Sequence, residues 1–432
     1  MTEMPIGEAI AKLADEAPDA PILSASGKTV TRDQFEKRTN RLARCYGDLG
    51  VRENDLVTIL LPNGLEFYEA CHAAWKLGAT PQMVSSQLPA QELSAIIELA
   101  NPALIVGLED SPFSGIPSLP GSYEPDGALD ASPLPPKIAQ FWRAPMSGGS
   151  TGRPKIILSN VPGSTDPDSR SLKIVRDGVM LVPGPLYHSG PFLFSMLGLW
   201  RGKHIVVMEK FDPLEALRLI QQYRVDYIQV VPTMMHRIWM LGEDIRSQYD
   251  ISSLKVLLHL GAACPPWLKD RWIAWLGAEH VFELYAGTEA QGMTWISGKE
   301  WLERRGSVGK PIRGCEMCIL DDEGNPLPPG EIGEIHMRSS SSADPSYQYI
   351  GAEKRTRDDW DSLGDMGYLD TDGYLYIADR RTDMIVSGGA NIYPAEVEAA
   401  LDEYPGIISS AVVGLPDDDL GHRVHAIYHS AG

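Results

Sequence analysis

A glycine- and serine-rich segment, Ser147-Gly-Gly-Ser-Thr-Gly-Arg-Pro-Lys155, carries the clearest chemistry in the sequence. Its glycines allow a tight turn in which several backbone N–H groups point toward one centre, and such a turn binds phosphate groups. Hydroxyl side chains and the Lys155 ammonium add partners for an anion. The segment differs from the P-loop of NTPases, because Ile156 rather than Ser or Thr follows the lysine. On composition alone, a flexible surface loop is an equally good interpretation.

Alternating strand and helix patterns surround this loop. Thr31 and Gln34 have the spacing of a capping box at the start of a helix that closes near Gly50. Apolar strand patterns then alternate with helical patterns twice, between positions 56 and 106 and again between 179 and 284. Such alternation predicts βαβ units on parallel sheets. The predicted fold class is therefore α/β, with two packed sheets of βαβ type in a large N-terminal domain.

Hairpin signals dominate the next part of the chain. Strand patterns at Glu316–Leu320 and Glu334–Arg338 flank a segment rich in turn residues. They predict a β-rich subdomain at about 306–380 within an N-terminal domain of residues 1–380. Residues 381–432 are predicted to be the beginning of a small α/β domain.

Composition excludes several function classes. The 432 residues include 38 Lys plus Arg against 58 Asp plus Glu, for a net charge of −20. Such a surface repels nucleic-acid backbones and anionic lipid. The sparse cysteines, with one Cys315-x-x-Cys318 pair and no second pair, predict neither disulfides nor zinc. Without a signal-peptide pattern or a membrane-spanning apolar run, the sequence predicts a cytoplasmic protein.

Four motifs in consistent order resemble those of the adenylate-forming enzymes. This family includes acyl-CoA and aryl-CoA ligases, luciferases and the adenylation domains of peptide synthetases. The motifs are the Ser147–Lys155 loop, Tyr285-Ala-Gly-Thr-Glu289, Gly364-Asp-Met-Gly367 and the stretch Asp379–Glu398. The second motif has Ala286 where the family usually has glycine. The resemblance implies the family's fold and an ATP-dependent activation of a carboxylic acid.

The resemblance also implies a role for individual residues. Attack of a carboxylate on the α-phosphate requires its spread negative charge to be neutralised while pyrophosphate leaves. Glu289 would bind Mg²⁺, which takes carboxylate and phosphate oxygens, and Thr288 would contact the α-phosphate. The other implied contacts are, for the β- and γ-phosphates, Ser147, Gly148, Gly149, Ser150, Thr151, Gly152 and Lys155; for adenine, Gly261, Ala262, Ala263 and Tyr285; and for the ribose, Asp365 and Arg380.

His188 occupies the place where acyl-CoA ligases of this family often carry a histidine near the carboxylate. We expect it to gate or orient the substrate, so that it joins Thr288, Glu289 and Lys155 as the predicted catalytic set. A structural histidine is the alternative interpretation.

The resemblance favours an apolar acid over an amino acid, and it leaves steroid or terpenoid, aryl and fatty acids as open alternatives. A large apolar pocket is predicted near His188. The residues expected to line it are Phe192, Phe194, Met234, Met235, Trp239 and Trp295. Gly388 and Gly389 match the loop that lines a pantetheine tunnel, which favours CoA as the second acceptor.

Two departures from the family pattern leave alternatives open. The hinge position carries Thr382 where lysine or aspartate is usual. The family's later Gly-Lys segment does not follow Gly421, so the sequence is expected to be truncated in its C-terminal domain. The alternatives to a CoA ligase are an acyl-AMP ligase that loads a carrier protein, and a non-catalytic module that binds nucleotide or acyl-adenylate.

Overall fold

A computed structural model describes residues 3–148, 154–339, 346–354, 356–380, 384–387, 390–402, 404, 407–417 and 421–430. Some of the predicted site residues lie outside this part of the chain: Gly149, Ser150, Thr151, Gly152, Thr382, Gly388 and Gly389. Among the described residues, the helices are all too short or too polar to cross a membrane.

The helices begin where the sequence supplies caps. At the start of the second helix, Thr31 Oγ1 accepts a hydrogen bond from the Gln34 amide, and the Gln34 side chain accepts one from the Thr31 amide, which confirms the capping box. The helices are α1 (Ile6–Glu16), α2 (Arg32–Asp48), α3 (Leu65–Lys76), α4 (Ala90–Ala100), α5 (Ser189–Trp200), α6 (Pro213–Tyr223), α7 (Pro232–Trp239), α8 (Glu243–Arg246), α9 (Pro266–Leu276), α10 (Gly298–Glu303) and α11 (Pro394–Asp402).

The strands divide into several sheets. Those before α9 are β1 (Met4–Pro5), β2 (Pro21–Ala25), β3 (Lys28–Thr31), β4 (Leu56–Ile59), β5 (Thr80–Met83), β6 (Leu104–Val106), β7 (Ser118–Leu119), β8 (Met146–Gly148), β9 (Pro154–Ser159), β10 (Ser164–Thr165), β11 (Val179–Val182), β12 (His204–Val207), β13 (Tyr227–Val230) and β14 (Val256–His259). Those after it are β15 (Val281–Ala286), β16 (Met293–Ser297), β17 (Lys310–Pro311), β18 (Cys315–Leu320), β19 (Gly333–Ser339), β20 (Tyr347–Ile350), β21 (Thr356–Arg357), β22 (Trp360–Leu369), β23 (Leu375–Arg380), β24 (Ile385–Ser387), β25 (Ala390–Ile392), β26 (Ile407–Asp417) and β27 (Gly421–Ser430).

Two sheets with parallel cores confirm the α/β prediction. The larger has the order β17-β16-β15-β14-β13-β11-β12-β2-β3, and its six strands from β15 to β2 run parallel. The smaller, β5-β4-β6-β7, is parallel throughout. Both faces of the larger sheet are buried, because Leu257 and Leu258 point into two different hydrophobic clusters. Burial on both faces explains why these strands are apolar runs rather than alternating patterns.

Four parallel strands end at the same edge of the larger sheet. β11, β13, β14 and β15 lie next to one another and point the same way. The segments that follow them contain His188, Gly261 and Glu289, which are predicted site residues. In open α/β sheets, ligands bind at the carboxyl ends of the strands.

The β-rich region contains the predicted hairpins. β18 pairs antiparallel with β19, and β22 pairs antiparallel with β23. One strand of this region belongs to a different sheet, however, because β20 pairs with β9 rather than with β18, β19 or β22. In the C-terminal part of the chain, β25, β24, β27 and β26 form a sheet on which α11 packs.

Candidate active site

Lys155, Glu289 and Tyr349 form a closed cluster at the carboxyl edge of the larger sheet. Lys155 Nζ lies 3.2 Å from Glu289 Oε1 and 2.9 Å from the Tyr349 hydroxyl oxygen. The Tyr349 hydroxyl donates to Glu289 Oε1 at 2.6 Å. Burial and the Glu289 carboxylate raise the pKa of Tyr349, so its hydroxyl stays protonated. The structure thus brings together two of the predicted catalytic residues.

Local backbone pairing explains how the cluster forms. Lys155 is on β9 and Tyr349 is on β20, and the antiparallel pairing of these strands sets Ile157 opposite Tyr349. Glu289 is in the turn after β15, where the Ala290 amide donates to the Gly287 carbonyl oxygen at 3.1 Å. Glu289 is 5% exposed, so the hydrogen bonds from Lys155 and Tyr349 stabilise its buried carboxylate in place of water.

Tyr285 and Asp365 are also in contact. The Tyr285 hydroxyl donates to Asp365 Oδ2 at 2.6 Å. Asp365 is directly opposite Arg380 in the register of β22 and β23. The predicted adenine residue and the two predicted ribose residues are therefore neighbours, although the side-chain position of Arg380 lies outside the described part of the structure.

The remaining described site residues lie around this cluster. Ser147 and Gly148 are on β8, which pairs with β9, so that Ser147 is opposite Lys155. The strip Gly261–Ala263 is exposed after β14, and Thr288 is half-buried beside Glu289. These positions agree with a nucleotide site open to solvent, and their individual contacts with ATP stay predictions.

His188 is the N-cap residue of α5, and its ring is exposed. It packs against the Tyr187 ring, with 4.5 Å between the ring centroids. The next residue, Ser189, accepts hydrogen bonds from Arg143 Nη1 at its carbonyl oxygen (3.2 Å) and at Oγ (2.6 Å). Sequence analysis missed Arg143. Its place four residues before the glycine-rich loop is a signal that could have drawn attention to it.

The expected apolar lining is partly wrong. Phe192, Phe194 and Met235 are at most 2% exposed and belong to the packed cores on the two faces of the sheet. The prediction was wrong because an apolar residue close to a site in sequence can pack in the hydrophobic core as well as line the pocket. Met234 is only half-buried, and its Cε would lie 3.9 Å from a Cβ added to Gly184, which is four residues before His188.

The sequence predicts neither disulfides nor a zinc site for the five cysteines. All five are free thiols, and Cys315 and Cys318 lie together on β18. Within the described ranges, His, Cys, Asp and Glu side chains form no group of three or more that could hold a metal ion.

The fold and this constellation are those of an adenylate-forming enzyme. Residues 10–345 match the sequence model of the AMP-binding enzyme family, described as "AMP-binding enzyme", and the chain belongs to that family. Its relatives are AMP-forming acyl-CoA ligases and related enzymes that activate carboxylic acids.

Three curated relatives span nearly the whole chain. A 2-succinylbenzoate–CoA ligase of Geobacillus kaustophilus is 30% identical over 95% of this chain and 84% of its own length. A feruloyl-CoA synthase of an Amycolatopsis species is 30% identical over 99% and 89%. A fatty acid–[acyl-carrier-protein] ligase of Streptomyces coeruleorubidus is 28% identical over 97% and 85%.

Solved structures agree with these relatives. The o-succinylbenzoate CoA synthetase of Bacillus subtilis in complex with its acyl-adenylate intermediate has a TM-score of 0.84 to this chain at 26% identity, covering 100% of this chain and 90% of that one. The same enzyme in complex with ATP and magnesium ion has a TM-score of 0.83 at 26% identity, with the same coverage.

Proposed function

We propose that this chain uses ATP to convert an apolar carboxylic acid to its acyl-adenylate, with release of pyrophosphate, and then transfers the acyl group to CoA as a thioester. The observation that carries the proposal is the cluster of Lys155, Glu289 and Tyr349 next to the glycine-rich loop. A buried carboxylate and an ammonium at this place suit the charges that an oligophosphate and its counter-ion bring.

The residues present fit a magnesium ion. Glu289 already holds a cation, the Lys155 ammonium, at its Oε1. Described residues offer no further carboxylates to complete a protein cage, which suits Mg²⁺, an ion that binds through one or two carboxylates and the phosphates of its nucleotide. When bound, Mg²⁺ neutralises phosphate charge; Glu289 would hold it, and Lys155 would turn to the phosphate oxygens.

The hydrogen-bonded pair of Tyr285 and Asp365 supports binding of the nucleoside part of ATP. The Asp365 carboxylate would accept hydrogen bonds from the ribose hydroxyls, and the Tyr285 hydroxyl holds that carboxylate in place. Tyr285 is half-buried on β15, and the exposed strip Gly261–Ala263 follows the neighbouring parallel strand β14. A base between them would be stacked on one side and lined by backbone on the other.

Apolar side chains around the His188 turn support an apolar acid. A Cβ added to Gly190 would lie 3.2 Å from Leu260 Cδ1, and one added to Gly261 would lie 3.6 Å from Val231 Cγ1. Together with Met234, these side chains border the acyl side of the site with hydrocarbon. The relatives act, by name, on 2-succinylbenzoate, ferulate and fatty acids, so the acid is sought among aryl, fatty and alicyclic acids.

CoA is the proposed acceptor, because two of the three relatives are named for CoA. The relative named for an acyl carrier protein favours loading of a carrier protein as the second candidate. The free thiols support action in a reducing compartment such as the cytoplasm.

The test is product analysis. The purified chain is incubated with ATP, Mg²⁺, CoA and one of decanoate, 3-phenylpropanoate or cholate, and products are separated by mass spectrometry. Acyl-CoA with AMP supports the proposal, whereas acyl-AMP that accumulates with CoA present and is consumed by a carrier protein supports the second candidate. Failure of every acid to give either product, with ATP bound, would contradict both and favour a binding module.

A further inference from the structure

Arg143 is a buried cation to which the described residues offer no carboxylate partner. It is 3% exposed, and within the described ranges no carboxylate oxygen lies within 4.0 Å of its guanidinium nitrogens. Its Nη1 donates to Ser189, and its Cζ lies 4.5 Å from the centroid of the Trp142 ring. Its Nε has no hydrogen-bond partner among the described residues. Burying a charge without a counter-charge costs free energy of folding, so a buried arginine in this setting is a candidate for a functional role.

The guanidinium points at the N-terminus of α5, a helix of 12 residues. The helix has neither a side-chain cap nor an acidic residue in its first turn. Its first backbone N–H groups belong to Ser189 and Gly190, since Pro191 has none. A helix N-terminus carries partial positive charge and attracts anions. Arg143 therefore adds positive charge to an end that is already positive.

Arg201, at the other end of the same helix, provides an internal comparison. It is also 3% exposed and also has no carboxylate within 4.0 Å in the described chain. Its guanidinium donates to the carbonyl oxygens of Ser171 and Ile174, both at 3.0 Å, and to Ser171 Oγ at 2.9 Å. Because Arg201 is the C-cap residue, the negative end of the helix dipole faces it. Its charge is compensated by three oxygen acceptors and the helix dipole, whereas the described residues give Arg143 only Ser189 and the Trp142 ring.

Both arginines nevertheless stay charged near neutral pH. Burial lowers the pKa of Arg143 to about 9, and the Glu289 carboxylate opposes that shift.

The Ser189 hydroxyl connects this charge to a ligand. Its Oγ accepts the short hydrogen bond from Arg143, so its own hydrogen is left to donate. The described residues give it no acceptor. The first-turn amides of Ser189 and Gly190 likewise have no backbone acceptor outside the helix among the described residues. With the hydroxyl they make three donors at one place, directly after the exposed His188.

We propose that the N-terminus of α5 is a carboxylate-binding site, in which the Ser189 hydroxyl and the first-turn amides hold the carboxylate of the acid and the buried Arg143 supplies the positive charge that attracts it. The inference rests on the proposed function and deepens it. Arg143 is a positioning residue, because it acts through Ser189. An ATP phosphate has similar anionic oxygens, and the test separates the two ligands.

The test compares Arg143→Gln, Arg143→Lys and Ser189→Ala with the wild type. Equilibrium binding is measured for decanoate, 3-phenylpropanoate and cholate, for the primary alcohol of each, and separately for ATP. Arg143→Gln should weaken binding of the acid about tenfold while leaving binding of the uncharged alcohol and of ATP unchanged. Arg143→Lys should restore part of the acid affinity, and Ser189→Ala should weaken it several-fold.

Arg201→Gln is the matched control, since it removes the same buried guanidinium from the opposite end of α5. It should lower the melting temperature without changing the preference for acid over alcohol. Equal losses for acid and alcohol in Arg143→Gln, or an unchanged acid affinity in both Arg143→Gln and Ser189→Ala, would overturn the inference. Weaker ATP binding with unchanged acid binding would assign the site to a phosphate instead. If the wild type binds none of the acids, the proposed function itself fails.

Discussion

Lys155 Nζ and Glu289 Oε1 lie 3.2 Å apart, although 134 positions separate the two residues in the chain. Lys155 comes from a strand beside the glycine-rich loop, and Glu289 comes from the turn that closes the last parallel strand of the larger sheet. Tyr349, on a third segment, bonds to both. Three distant segments therefore converge on one pair of opposite charges, and the proposed chemistry depends on that convergence.

Replacing Glu289 by glutamine should abolish acid activation. The amide keeps the size of the side chain but loses the charge that would hold Mg²⁺, so we expect kcat for acyl-AMP formation to fall at least about 100-fold. The measurement is acid-dependent pyrophosphate release at saturating ATP. Glu331→Gln, at an exposed position, is the control and should behave as wild type. Turnover of Glu289→Gln close to the wild-type rate would remove Glu289 from the site.

Tyr349→Phe tests whether the tyrosine hydroxyl positions Glu289. The substitution keeps the ring, whose centroid lies 4.1 Å from Lys155 Nζ, and removes the donor to the carboxylate. Loss of one hydrogen bond to a charged group should raise the Mg²⁺ concentration needed for half-maximal activity about fivefold or more. Tyr376→Phe, on the neighbouring β-rich sheet, should leave it unchanged. An identical Mg²⁺ dependence in Tyr349→Phe and wild type would show that the contact is incidental.

Asp365 is expected to recognise the ribose. The wild type should bind ATP about tenfold more tightly than 2′,3′-dideoxy-ATP, and Asp365→Ala should lose that discrimination. Tyr285→Phe should weaken ATP binding only a few-fold, because it retains the ring and removes just the hydroxyl that holds Asp365. Calorimetric titration with both nucleotides measures each affinity. If Asp365→Ala still prefers ATP to the dideoxy compound by the same factor, the ribose assignment is wrong.

Stability should fall on acidification, partly because His72 is buried neutral. Its Nδ1 donates to the Tyr68 carbonyl oxygen, its Nε2 accepts from Trp200 Nε1, and burial lowers its pKa to about 3. The unfolded chain takes up a proton near pH 6.5 and the folded chain does not. The contribution of His72 to the free energy of unfolding is therefore complete above about pH 6.5. It declines by about 1.4 kcal/mol per pH unit as the pH falls from there toward 3.

Chemical denaturation at pH 7.5, 6.0 and 5.0 measures this effect. His72→Gln should be less stable than the wild type at pH 7.5. Between pH 6.5 and 5, however, its free energy of unfolding should decline less steeply, by up to about 1.4 kcal/mol per pH unit, which corresponds to one proton. His429→Gln, which removes an exposed histidine, should keep the slope of the wild type. Equal slopes in all three proteins would contradict the assignment of a neutral buried His72.

Sequence patterns predicted the elements that carry their own local signals. The capping box at Thr31 marks the start of a helix through contacts within a few residues, and that helix forms as expected. The parallel strands were equally evident, because burial on both faces demands apolar runs. Such signals need no knowledge of the rest of the chain.

The site itself depends on contacts that local patterns do not encode. Tyr349 contacts Lys155 because their two strands pair, although the two residues are 194 positions apart in the chain. No sequence pattern near Tyr349 predicts that pairing. Asp365 was found by resemblance, yet its bond to Tyr285 was not. Phe192 was assigned to a pocket because hydrophobicity alone does not distinguish a core from a lining.

The central claim is that the acid attacks the α-phosphate of ATP, and an isotope transfer tests it most directly. The acid that gives acyl-CoA in the product analysis is prepared with ¹⁸O in its carboxylate and turned over with ATP, Mg²⁺ and CoA. The account predicts one ¹⁸O in AMP and none in pyrophosphate, because the carboxylate oxygen that bonds to the α-phosphorus stays with it when the thiol displaces AMP. Unlabelled AMP, or ¹⁸O in orthophosphate, would contradict it.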